Sequence, residues 1–68
     1  PAPRDPVAAA IVRARMNAEL TQDQLAERLH THQGNIARLE RGRTQATVRT
    51  LKRIATATGN RLVIDFRK

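Results

Sequence analysis

The side chains of this 68-residue sequence that could do chemistry are thirteen lysines and arginines, six acids and two histidines, and together they point to binding. His30 and His32 stand two apart, with no carboxylate or other ligand spaced to join them on one face, so no metal site is expected. The absence of cysteine closes off disulfides and thiolate-bound zinc. No paired carboxylates, nucleophile–base set or phosphate-cradling loop can be picked out, and so small a core has little room for an active site. The chain therefore reads as a binding protein, not an enzyme, and no cofactor is expected. Its formal net charge of +7 calls for an anionic partner, of which nucleic acid is the commonest. RNA-binding modules usually carry aromatic stacking residues. Here the one aromatic is Phe66, which its strand pattern assigns to the core.

Those charges need a scaffold, and a chain this short supplies one domain with a thin core. Domains of this size usually gain stability from a disulfide, a metal or a partner subunit, and only the last of these is open here. No apolar run approaches the roughly 18 residues of a membrane span. The stretch Val7 to Val12 is too short for the apolar region of a signal peptide. A cytoplasmic protein with no membrane association is the expectation.

Capping chemistry and apolar period divide the chain into elements. Asp5-Pro6 reads as an N-cap and first helical residue, opening a helix from Pro6 to Asn17 with Val7, Ile11 and Ala14 inward. Thr21, with Gln24 three residues on, forms a capping-box pattern ahead of a helix from Gln22 to Leu29 that buries Leu25, Ala26 and Leu29. His30 to His32 leave room only for a tight turn. A third helix runs from Gln33 to Arg41, with Ile36 and Leu39 inward and Gly42 as its stop. Thr47 caps a fourth, reaching Thr58 before Gly59, with Val48, Leu51, Ile54 and Ala55 inward. Then the period changes: Leu62, Ile64 and Phe66 alternate with Val63, Asp65 and Arg67, which is a strand pattern.

Two short helices joined by a three-residue turn, with small Ala26 midway along the first, form a helix-turn-helix over Gln22 to Leu39. A small side chain there lets the next helix cross closely. Three runs carry a family resemblance: Leu20-Thr-Gln-Asp-Gln-Leu-Ala-Glu-Arg-Leu29, Gln33-Gly-Asn-Ile-Ala-Arg-Leu-Glu-Arg-Gly42 and Thr47-Val-Arg-Thr-Leu-Lys-Arg-Ile-Ala55. From about Ile11 to Gly59 the chain resembles the Xre, or Cro/cI-type, helix-turn-helix regulators. The resemblance implies an ion pair between Arg15, late in the first helix, and Glu40, at the end of the third. It also shows two departures. His30 stands where the family usually has a glycine with positive φ, a region histidine enters less readily. Thr31 stands where an apolar β-branched residue is usual.

By the same resemblance the third helix is the recognition helix, its N-terminal end entering the major groove of double-stranded DNA. With Ile36 and Leu39 facing in, Gln33, Gly34, Ala37, Arg38 and Arg41 are expected to face out. Gln33 suits adenine N6 and N7, Arg38 suits guanine O6 and N7 or a phosphate, and Ala37 suits a thymine methyl. His32, at the N-cap, could cap, touch phosphate or reach a base edge. Gln22 resembles the family's backbone-clamping glutamine, and Asn35, Arg41, Arg43 and Thr44 are expected on the sugar-phosphate chain, where contacts position without specifying. Arg4, Arg13, Arg28 and Arg53 are read as a general positive field.

Residues 61–67 form one strand in a chain with no second strand, leaving its backbone groups and apolar face unpartnered. Antiparallel pairing with a second copy, through Leu62, Val63, Ile64, Asp65 and Phe66, satisfies both. The ending Gly59-Asn-Arg-Leu-Val-Ile-Asp-Phe66 is similar to that of HipB- and HigA-type antitoxins of bacterial toxin–antitoxin pairs, in which such a strand dimerises the protein. The expected fold is all-α, a four-helix Cro/cI-like domain with a C-terminal β-strand paired across a homodimer. Residues 1–5 form an arm, 6–59 the DNA-binding domain and 60–68 the dimerisation strand. The function expected is sequence-specific operator binding and repression of the protein's own operon, with a cognate toxin as a further partner. The alternative is a protein-interaction module that neutralises a toxin and binds DNA only non-specifically.

Overall fold

The computed structural model describes residues 5–67, which form four helices: α1 (Pro6–Asn17), α2 (Gln22–Arg28), α3 (Gln33–Glu40) and α4 (Val48–Ala57). The expected arm falls outside the described residues apart from Asp5, as do Arg4 and the last residue of the C-terminal segment.

Local chemistry accounts for where α1, α2 and α4 begin. Asp5 has an extended backbone and accepts from the Val7 and Ala8 amides at 2.8 and 3.4 Å, while Pro6 needs no donor in the first turn. Thr21 Oγ1 accepts from the Gln24 amide at 3.0 Å as Gln24 Oε1 accepts from the Thr21 amide at 2.8 Å, a reciprocal box that starts α2. Thr47 Oγ1 caps α4 through the Thr50 amide at 3.1 Å. At the other ends, Leu29, Arg41 and Thr58 prove to be C-caps and not last helical residues: each still donates backward but leaves helical pairing. Past Arg41 the chain turns at Gly42, whose φ is +73°, and a Cβ there would lie 3.1 Å from that of Asp5. Glycine is required at this point twice over, by backbone and by contact.

The core joins α1 to α4 through Ile11, Leu25, Leu29, Ile36, Leu39 and Ile54, with Leu20 and Leu51 half-buried around it. Leu25 and Ile36 are fully buried, and Ala26 is buried with them where α2 and α3 meet. The inward stripe of α1 differs from expectation. Ala8, not Val7, is buried beside Ile11, and Val7 is exposed. Positions 8, 11 and 15 share a helical face, so this rotation also carries Arg15 toward the core.

There its guanidinium meets Glu40 in a two-pronged pair, Nε to Oε2 at 2.6 Å and Nη2 to Oε1 at 3.1 Å, while Nη1 donates to the Leu20 carbonyl at 2.9 Å. The side chains are 16% and 6% exposed. One arginine thus ties α1 to the end of α3 and to the link before α2.

Two arginines read as general field have assigned work as well. Arg28 donates to the Ala57 carbonyl at 2.8 Å, at the end of α4, and Arg53 of α4 donates to the Leu29 carbonyl, at the end of α2. Each helix thus supplies a cation to the other's C-terminal carbonyls, the end where the helix dipole favours positive charge.

After Gly59 the described residues adopt no regular secondary structure, and no strand is found among residues 5–67. Leu62 is half-buried, but Ile64 is exposed and Phe66 is 96% exposed, which corrects the expectation that Phe66 lies in the core. A single chain has no second strand to hold this segment, so its apolar side chains have nothing to cover them.

Two outcomes follow from these contacts. His30 sits at φ +55°, and replacing it with glycine removes a left-handed strain of ~1–2 kcal/mol against a chain-entropy cost of about 0.5–1 kcal/mol. His30→Gly should therefore raise stability by up to about 1.5 kcal/mol in urea denaturation, and a loss of stability would contradict the strain. Glu40→Gln leaves the Arg15 charge without its counterion and should cost about 3 kcal/mol, with part regained in the Arg15→Met/Glu40→Leu double variant. A cost under ~0.5 kcal/mol would place the pair with ordinary surface charges.

Candidate nucleic-acid interface

Glu40 Oε1 does more than hold Arg15. It also accepts from Gln22 Nε2 at 3.0 Å, and Gln22 Oε1 in turn accepts from Gln33 Nε2 at 2.6 Å. Four side chains from three helices therefore form one hydrogen-bonded line, running from the half-buried guanidinium to the exposed amide of Gln33. The two glutamines are the first residues of α2 and α3, directly after the caps Thr21 and His32. The close crossing at Ala26 brings these two helices together.

The line leaves specific groups free. Gln22 has its oxygen and one N–H engaged, so one N–H remains. Gln33 has one N–H engaged, so its oxygen and second N–H remain, the pair that matches adenine N6 and N7 in the major groove. Gly34, next to it, is exposed, and a Cβ built there would meet nothing within 4 Å. The helix surface beside Gln33 is therefore low, and open to close approach.

Arg38 is exposed on the same helix, and Arg41, Arg43 and Thr44 are exposed at its end and in the loop beyond. Among the described residues none of these four makes a side-chain hydrogen bond, so their donors are available. Asn35 is half-buried and donates to Thr31 Oγ1 at 3.1 Å, which gives both residues a part in holding the turn. His32 takes the backbone geometry of an N-cap without a capping side-chain bond, leaving its exposed ring unengaged in α3. Ala37 is a correction. Expected to face outward, it is 8% exposed, because Ile36, Ala37, Leu39 and Glu40 all turn inward on this short helix.

Sequence reasoning did not find the Gln22–Gln33 bond. The signal for it was present in the two N-caps, since helices that start side by side bring their first side chains within reach. Among the described residues no group of three or more histidines or acids could hold a metal ion, and no helix is long and apolar enough to cross a membrane.

The comparisons with known proteins agree with this geometry. Residues 11–63 match the HTH_3 helix-turn-helix family, which covers all of α2, α3 and α4. No curated protein matches the chain. Among solved structures the chain is similar to the clp gene regulator ClgR from C. glutamicum, with 31% identity and a TM-score of 0.78, covering 88% of this chain and 80% of that one. The chain belongs to the helix-turn-helix family of DNA-binding transcription regulators.

Proposed function

We propose that the protein binds a specific operator duplex as a homodimer and represses transcription of its own operon. On this reading it is a cytoplasmic regulator and not an enzyme. The observation that carries it is the bonded pair of glutamines. Gln33 keeps the acceptor and donor needed to read adenine, in an orientation held by Gln22, and through Gln22 by Glu40 and Arg15. Arg38 supplies a second base contact, to guanine, or a phosphate contact. His32 adds a donor beside them, while Gln22, Asn35, Arg41, Arg43 and Thr44 set the protein on the sugar-phosphate chain. The buried Ala37 is left out of base readout. Similarity to a clp gene regulator supports regulation as the purpose of binding.

Association into a dimer would place two recognition helices on half-sites about 34–36 Å apart, one turn of the duplex. It would also cover the apolar residues Val63, Ile64 and Phe66. A toxin partner rests on the resemblance of the Gly59–Phe66 ending alone, and the described residues add nothing to it.

The test is a titration of a labelled duplex from upstream of the protein's own gene against a scrambled duplex, at two salt concentrations. Two protomers should bind the upstream duplex tightly, with weaker and more salt-sensitive binding to the scramble. Gln33→Ala should weaken the specific complex roughly 5- to 150-fold, the equivalent of ~1–3 kcal/mol, and barely change the non-specific one. Equal loss on both would refute base readout. An unlabelled structured RNA belongs among the competitors because Phe66 is exposed, and displacement by RNA as effective as by the upstream duplex would overturn the DNA reading.

A further inference from the structure

Arg28, His30, Lys52 and Arg53 line one open pocket of about 490 Å³, where the ends of α2 and α4 meet over Leu29 and Ala57. None of the chain's six acids lines it, and neither does any residue placed on DNA. Helix polarity balances only part of this charge. Each helix end carries about half a unit of negative charge, so the two ends offset roughly one of the three formal cations. Arg28 gives Nη1 to the Ala57 carbonyl and Arg53 gives Nη2 to that of Leu29. Those bonds hold both guanidinium groups in place and leave their other N–H donors available. Among the described residues Lys52, His30 and Thr56 make no side-chain hydrogen bond.

His30 stands in this pocket on a backbone at φ +55°, where glycine would be unstrained. Strain of this kind gathers at binding sites, where what the side chain does offsets its cost. The fold gives the imidazole nothing to do: it is exposed and bonds to no described residue. Its place among the cations supplies a role, as a further N–H donor to an anion.

We propose that the pocket docks a carboxylate-bearing segment of a partner protein, with Arg28 and Arg53 as forks for its acids and Lys52 and His30 as flanking donors. Shape selects this class of partner. Five of the seven lining residues are exposed, so the pocket cannot bury most of a small molecule as a cofactor site does. No aromatic ring lines it on which a nucleobase could stack. The duplex of the operator reading lies elsewhere: α2 has seven residues, and about 10 Å of helix separates Arg28 from Gln22. An extended acidic segment needs no enclosure, and its charge steers it to the cationic rim. Docking here leaves the DNA face uncovered, so both partners can be held at once.

The test is amide NMR of the isotope-labelled full chain, titrated at physiological salt with a soluble oligoglutamate peptide, with and without bound duplex. Amide signals of Leu29, His30, Arg53 and Ala57 should shift, and those of Gln33 and Arg38 should not. Lys52→Glu, at an exposed position with no bond to lose, should weaken the peptide about tenfold. Arg43→Glu, the same charge change on the DNA face, should weaken it less than about twofold, because salt screens the distant charge. His30→Gly should weaken it about threefold while raising stability, a split that a purely structural role does not give. No shift at the pocket amides, shifts centred on α3, or equal losses from Lys52→Glu and Arg43→Glu would overturn the site. Loss of the peptide shifts when duplex binds would assign the pocket to phosphates of DNA and overturn the protein partner. Inorganic phosphate binding there as tightly as the peptide would overturn it too, leaving a simple anion site.

Discussion

The pairing of Arg15 with Glu40 is the constraint on which the rest of the molecule depends. Both charges are largely withdrawn from water, and each is tolerable only because the other is there. Their geometry sets the angle between α1 and α3, and Arg15 also holds the carbonyl of Leu20 just before α2 begins. A small apolar core cannot fix three short helices tightly by packing alone. A directional polar contact supplies orientation that Ile11, Leu25 and Ile36 do not, and it ties the end of α3 to α1. No buried side-chain nitrogen or oxygen among the described residues is left without a partner.

The same carboxylate links structure to function. Glu40 accepts from Gln22, and Gln22 accepts from Gln33, so the amide that meets DNA on the proposed reading is oriented before DNA arrives. Less side-chain freedom then remains to be lost on binding. The protein's positive charge plays a different part. On the proposed reading, Arg38, Arg41 and Arg43 give affinity and approach, which salt weakens, whereas the glutamine pair gives selectivity.

What could be read from the sequence was what is decided locally. The caps at Asp5, Thr21 and Thr47 bond to amides two or three residues away, and the starts of α1, α2 and α4 follow from residue type and spacing. Ala26 and the apolar pairs around it gave the crossing of α2 and α3. Contacts across the fold were less legible. Arg15 and Glu40 lie 25 residues apart, and family resemblance, not periodicity, brought them together. Val7 was exchanged for Ala8 and Ala37 turned inward because the rotation of a short helix is decided by its neighbours, not by its own pattern. The Gly59–Phe66 ending was legible as an alternation but not as a structure, since a strand exists only with a partner.

The most direct test of the central claim is a double-mutant cycle on the specific duplex, with Gln22→Ala, Gln33→Ala and the two combined. If Gln22 acts by holding Gln33, each single change weakens binding and the double change costs less than their sum by ~0.5–3 kcal/mol. Strictly additive losses would show two independent contacts and would contradict the oriented line of side chains described above.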